Sequence, residues 1–191
     1  MRAHSTPGGA CGNVIFVNVA PIAIYHLAQY NIARLVAPLD DLRIADFVAN
    51  LDRVNLLGDC APGFVWRHQT EEGNSTSVRV RGDPLILVNF TVWEDTESLF
   101  EFTYRSGHAE MYRRRREWFE PASEAHLVLW WISAGHVPTV GEAEDRLDYL
   151  RARGPTPRAF TFKRRFCPPN SGLRRDSGQP ELGLDGCVLE R

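Results

Sequence analysis

The run Leu85-Ile-Leu-Val-Asn-Phe-Thr-Val-Trp93 constrains the fold more than any other stretch of the chain. It is too short for an ordinary helix and rich in β-branched and aromatic residues, so it reads as a central strand buried on much of both faces. Period two then places Val88, Phe90 and Val92 on one face and Leu87, Asn89 and Thr91 on the other. Asn89 is the exception inside the run. An unpaired buried amide is costly, so its side chain either bonds backbone or faces a ligand.

The other elements follow from periodicity and punctuation. Residues 27–35 alternate loosely as a strand, and Pro38 ends it. Asp40 or Asp41 can cap a helix in which Phe47, Val48, Leu51, Val54 and Leu57 recur at helical steps until Gly58. Pro62-Gly63 turns the chain into a short strand, Phe64–Arg67, and Glu72-Gly-Asn-Ser75 offers turn chemistry before Val78 and Val80, as in a hairpin. After Leu85 to Trp93, Asp95 or Thr96 caps a helical stretch that continues through Met111 and Trp118 to Pro121, with Gly107 as a point of interruption. Residues 126–132 form a strand, Thr139 caps a helix holding Ala143, Leu147 and Leu150, and Gly154-Pro155 stops it. Residues 159–163 read as a last strand. The order β-α-β-β-α-β-α-β is α+β, a ferredoxin-like antiparallel sheet with helices on one face and one helix added. The other face then calls for a second copy, which predicts a homodimer packed sheet to sheet.

Composition matters chiefly for what it excludes. Twenty-two Lys and Arg against 24 Asp and Glu leave a net charge of −2, so there is no global electrostatic case for a nucleic-acid partner or a membrane surface. The apolar residues 14–25 fall well short of the roughly 20 needed to span a bilayer, and a basic n-region with a cleavage site is missing, so a cytoplasmic protein is expected. Cys11, Cys60, Cys167 and Cys187 are scattered without a C-x-x-C pair and are expected as free thiols. Residues 1–25 read as an N-terminal extension whose apolar part, 14–24, is suited to an added edge strand or arm. Residues 26–167 form the domain, and 168–191, rich in Pro and Gly, a C-terminal tail.

Several blocks together resemble a known bacterial family, domain of unknown function 3291, in the dimeric α/β-barrel superfamily. They are Leu27-Ala-Gln-Tyr-Asn-Ile-Ala-Arg34, Pro38-Leu-Asp-Asp41, Pro62-Gly-Phe-Val-Trp-Arg67, Leu87-Val-Asn-Phe-Thr-Val-Trp-Glu94, Tyr104-Arg-Ser-Gly-His108, Arg113-Arg-Arg-Arg-Glu-Trp-Phe119 and His126-Leu-Val-Leu-Trp-Trp131. The resemblance spans about residues 26 to 166. It implies a fold with a pocket between sheet and helices, not one reaction: the superfamily includes cofactor-free monooxygenases, haem-binding and haem-degrading proteins, dehydratases and small lyases.

Chemistry concentrates in Tyr104-Arg-Ser-Gly-His108. On a continuous helix Arg105, His108 and Tyr112 share a face at steps of three and four, bringing together a cation, a base or ligand and a phenol. A neutral imidazole can take a proton near pH 7 or coordinate iron, and the segment Ser106-Gly107-His108 is similar to one in superfamily monooxygenases. Ser106 equally fits a helix cap with His108 at the surface. Of the run Arg113 to Arg116, at most two, such as Arg115 or Arg116, can face a ligand, since successive helical residues point about 100° apart. Trp93, Phe102, Asn89 and one of the adjacent Trp130 and Trp131 complete the expected wall. His26, His126 and His136 lack the spaced partners of a metal site, and no nucleophile-elbow, P-loop or dinucleotide motif occurs. The function expected is therefore an oxidative enzyme of small-molecule metabolism on a flat, partly apolar substrate. His108 acts there as base or, with haem as the cofactor, as iron ligand. The alternatives are a cofactor-free lyase, isomerase or cyclase, and a non-catalytic small-molecule or haem-binding protein.

Overall fold

A computed structural model describes residues 24–71 and 73–169. The apolar segment 14–24 expected as an arm therefore lies outside the described residues except for Ile24, as does most of the C-terminal tail. The described chain runs β1 (Tyr25–Arg34), α1 (Ala45–Asp59), β2 (Phe64–Arg67), β3 (Ile86–Trp93), α2 (Thr96–Arg105), α3 (His108–Arg114), β4 (Leu127–Ser133) and α4 (Val140–Arg153), with short 3-10 turns at Leu42–Ile44 and Arg115–Glu117. The strands form one antiparallel sheet of order β2-β3-β1-β4. This is the α+β, ferredoxin-like class expected from the sequence, with β1 and β3 in the centre.

The caps sit where short polar side chains were expected to hold them. Asp41 accepts from the Arg43 N–H at 2.9 Å and starts the turn before α1, Asp95 accepts from the Ser98 N–H at 2.8 Å, and Thr139 accepts from the Glu142 N–H at 3.2 Å. Gly154, at φ 71°, ends α4 with its N–H on the Leu150 carbonyl. Gly63, at φ 74°, is held so close to α2 that a Cβ there would stand 2.2 Å from Ser98 Oγ.

The register Ala28↔Val92, Tyr30↔Phe90 and Ile32↔Val88, with Val128, Trp130 and Ile132 of β4, builds one buried face. The other face carries Leu27, Leu87, Trp93 and Leu129 and meets α1, α2 and α3 through Phe47, Leu99, Phe102 and Met111, with Ile44 of the turn before α1. The expectation that helices lie on one face only is corrected here. Ala143, Leu147 and Leu150 of α4 pack into the cluster of Tyr30, Phe90 and Trp130, so the face expected to await a second copy is covered by the chain's own helix. Tyr30 Oη donates to Glu144 Oε1 at 2.5 Å, and burial pushes its phenol well above the usual tyrosine range. The segment after β2 adds to this cover. Instead of a hairpin strand, it lays Val78 and Val80 into the cluster and is held by Arg81, which pairs with Glu144 at 2.9 Å and Asp148 at 2.7 Å.

Two more expectations change. Residues 159–163 do not form a strand. Only Phe160 pairs with the sheet, exchanging both backbone bonds with Leu129, while neighbouring residues turn back on themselves through the bridges Thr156↔Ala159 and Thr161↔Arg164. Cys60 is free and exposed, but Cys167 is disulfide-bonded, since separation along the chain says nothing about distance in the fold. No helix among the described residues is long and apolar enough to cross a membrane.

Candidate functional site

Between the sheet face opposite α4 and helices α1, α2 and α3 lies a cavity of about 930 Å³. Its floor is the odd-numbered side of the central strands: Gln29, Asn31, Asn89, Thr91 and Trp93. Its walls are Phe47, Leu51 and Val54 of α1, Leu99 and Phe102 of α2, and His108, Met111 and Tyr112 of α3, with Arg115 and Arg116 beyond. Of the residues expected at a site, Trp93, Asn89, Phe102, His108, Tyr112, Arg115 and Arg116 line this space.

Arg105, Trp130 and Trp131 are not among the lining residues. The helix expected to carry Arg105, His108 and Tyr112 on one face is broken at Ser106, whose backbone is extended at φ −94°, ψ −174°. Its hydroxyl donates to the Phe102 carbonyl at 2.5 Å and accepts from the His108 N–H at 3.1 Å, so it ends α2 and starts α3. Gly107 lets α1 close on the break, since a Cβ there would lie 3.1 Å from Leu57 Cδ1. The break turns His108 into the cavity and leaves Arg105 outside, paired with Glu101 at 2.7 Å and 67% exposed. Trp130 lies on the opposite face of the sheet, its Nε1–H donated to Glu142 at 3.1 Å, and the Trp131 Nε1–H goes to the Phe166 carbonyl at 2.7 Å.

His108 packs against Phe102 (4.8 Å between ring centroids) and stacks with Tyr112 (6.4 Å). Its Nδ1 lies 3.1 Å from the Thr103 carbonyl oxygen, an acceptor, so Nδ1 carries the proton and Nε2 holds the lone pair. Burial lowers its pKa below the ordinary histidine value, only partly offset by that hydrogen bond, so the ring is neutral at pH 7. No protein partner meets Nε2 among the described residues. Nearby, burial and then the Tyr112 phenol push Tyr104 up to about 12, and Arg115 sits over the Tyr112 ring at 4.3 Å. The Tyr104 phenol stays protonated at neutral pH.

Sequence reasoning singled out Asn89 and missed its neighbours on the floor. Trp93 Nε1–H donates to Thr91 Oγ1 at 2.8 Å, Thr91 Oγ1 donates to Gln29 Oε1 at 2.7 Å, and Gln29 Nε2 donates to Asn31 Oδ1 at 2.7 Å. Asn31 stands across from Asn89 in the β1–β3 register. Neither the Asn31 Nδ2 group nor the Asn89 amide has a protein partner among the described residues. The signal was available: Gln29 and Asn31 are two apart on β1, so they share the face that Asn89 and Thr91 share on β3. A floor of polar side chains beneath largely apolar walls is the pattern of a small-molecule site. Among the described residues no group of three or more His, Cys, Asp or Glu is placed to hold a metal ion.

Fold and cavity together define an α+β protein of ferredoxin-like topology with an open-mouthed cavity between sheet and helices. The chain belongs to the family described as domain of unknown function (DUF3291), whose model matches residues 26–176. No protein of curated function matches it. Among solved structures, SnoaB, a cofactor-independent oxygenase from Streptomyces nogalater, is 16% identical, with 60% of this chain and 96% of that one covered at a TM-score of 0.38. A conserved protein from Methanosarcina mazei Go1 is 14% identical over 57% of this chain and 92% of its own, with a TM-score of 0.38. A protein of unknown function from Nitrosomonas europaea is 12% identical over 61% and 98%, also with a TM-score of 0.38.

Proposed function

We propose that this protein is an enzyme of small-molecule metabolism that binds a flat, largely apolar molecule with an enolisable or phenolic oxygen, and that His108 removes the acidic proton. The observation that carries this reading is the state of His108: neutral, with Nδ1–H on the Thr103 carbonyl and a bare Nε2, at a cavity whose floor presents amide groups. The ring plane of the ligand rests against Phe102, which is itself backed by the buried Trp93 at 5.1 Å between ring centroids, its oxygen meets Asn31 and Asn89, and its acidic hydrogen faces His108. Deprotonation gives an enolate or phenolate whose charge the amide donors stabilise, while His108 becomes imidazolium. An enolate is also the form that dioxygen oxidises: a CH2 group and O2 give C=O and water, one oxygen atom going to each product. Oxidation is the proposed outcome, and reprotonation on carbon the isomerase alternative.

A haem protein is the second reading, supported by the same free Nε2, which suits an axial ligand, and by Arg115 and Arg116, which suit propionates. A Soret band that appears on adding hemin and disappears in His108→Ala would replace the cofactor-free reading.

The test of the proposal uses 2-tetralone, a flat ketone with acidic α-hydrogens. Hydrogen–deuterium exchange in D2O is followed by NMR, and oxygen uptake by electrode. The expected result is catalysed exchange that falls by roughly 100-fold or more in His108→Ala. Equal rates in the two proteins refute His108 as the base, and binding of the ketone without exchange makes this a binding protein.

A further inference from the structure

The floor of the cavity contains a chain of hydrogen bonds with a direction. An indole N–H can only donate, so Thr91 Oγ1 spends a lone pair on Trp93 at 2.8 Å and has its single proton left for Gln29 Oε1 at 2.7 Å. That turns the Gln29 amide so that Nε2 donates to Asn31 Oδ1 at 2.7 Å, which in turn leaves Asn31 Nδ2 as the free end. Trp93 is fully buried, Gln29 is 4% exposed and Thr91 9%, so water does not compete for the bonds from Trp93 to Thr91 and from Thr91 to Gln29, and the orientation they set is held in a low-dielectric setting up to the part-buried bond to Asn31. Among the described residues, no buried side-chain nitrogen or oxygen atom lacks a hydrogen-bond partner, so the chain is satisfied at every link except at the cavity.

From this we infer that Thr91 and Gln29 are positioning residues: they relay the donor polarity of Trp93 to Asn31, so that the cavity selects ligands with a hydrogen-bond acceptor, a carbonyl or enolate oxygen, at this point of the floor. The inference rests on the ligand cavity proposed above and is independent of His108 as base. It explains why a strand face otherwise suited to apolar contact carries Gln29 and Thr91, neither of which needs to touch the ligand. It also makes the selection reversible in principle. An acceptor-only side chain at position 29 takes the Asn31 Nδ2 group for itself and turns Asn31 Oδ1 to the ligand.

The test compares affinities for two probes of nearly equal shape, 2-acetylnaphthalene and 2-isopropenylnaphthalene, by equilibrium dialysis. One has a carbonyl oxygen where the other has a CH2 group, so losses of folding or packing affect both and cancel in the ratio. The wild-type protein is expected to prefer the ketone by about tenfold, the effect of one good hydrogen bond. Thr91→Ser keeps that ratio. Thr91→Val frees Gln29 to rotate and brings the ratio towards one. Gln29→Glu, measured above the pKa of the introduced carboxyl, takes it below one, and protonation of that carboxyl at lower pH restores the ketone preference. Should Thr91→Val fail to fold, the Gln29→Glu series makes the same decision. An unchanged ratio in either variant, or no preference in the wild type, overturns the relay while leaving the His108 experiment untouched. Failure of the wild type to bind either probe removes the cavity reading and the relay with it.

Discussion

Truncation of Leu147 to alanine tests the largest departure of the structure from the sequence reading, the covering of the second sheet face by α4. Leu147 is fully buried, in a cluster with Tyr30, Phe90 and Trp130, which are themselves at most 1% exposed. Leu-to-Ala changes in cores cost roughly 2–5 kcal/mol, the higher values arising where surroundings cannot collapse into the cavity. Here the surroundings are large rings already fixed against one another, Tyr30 on Phe90 at 5.5 Å and Phe90 by Trp130 at 5.8 Å, so about 3–4 kcal/mol is expected. At roughly 2–4 °C per kcal/mol for a chain of this size, the melting temperature falls by about 10 °C. Urea unfolding followed by tryptophan fluorescence measures the loss, with the slope unchanged. A loss under about 1 kcal/mol would show that α4 does not seal this face.

Tyr30→Phe removes the hydrogen bond to Glu144 but leaves that carboxylate paired with Arg81, so a loss of about 1.5–3 kcal/mol in urea unfolding is expected. Gly63→Ala forces a Cβ to within 2.2 Å of Ser98 Oγ at a positive φ and should cost at least about 1 kcal/mol, recovered in part when Ser98 is also changed to glycine. Arg105→Ala removes an exposed pair with Glu101 and should alter neither 2-tetralone exchange nor stability by more than about 0.5 kcal/mol. The pH dependence follows from burial of His108, whose folded pKa lies below its unfolded value. Exchange is at its plateau at neutral pH and falls as pH drops through the lowered pKa. The stability contribution of the neutral ring, complete above about pH 6.5, is lost over the same descent.

Much of this fold was legible because its signals are local. The run from Leu85 to Trp93, the caps at Asp41, Asp95 and Thr139, and Gly154 act over a few residues and came out where expected. What local pattern cannot say is which face an added helix will choose, since the stripe of Ala143, Leu147 and Leu150 is equally compatible with either side of a sheet that is apolar on both. The aromatic run at 159–163 looked like a strand, but only Phe160 finds a partner, because the chain turns at residues on either side. At the site, Gly107 was recognised as an interruption. The consequence, that Arg105 and His108 part company, depends on the Ser106 hydroxyl taking both the Phe102 carbonyl and the His108 N–H. The floor was half read: Asn89 stood out within an apolar run, whereas Gln29 and Asn31 sit in a strand mixed enough to pass for ordinary alternation.

The measurement closest to the central claim is the nitrogen-15 NMR titration of the His108 ring, assigned by comparison with His108→Ala. The account predicts a neutral ring at pH 7 with the proton on Nδ1, a midpoint below 6.5, and a shift of the Nε2 resonance when 2-tetralone is added. A ring protonated on Nε2, a midpoint above 6.5, or an Nε2 resonance indifferent to the ketone would contradict it.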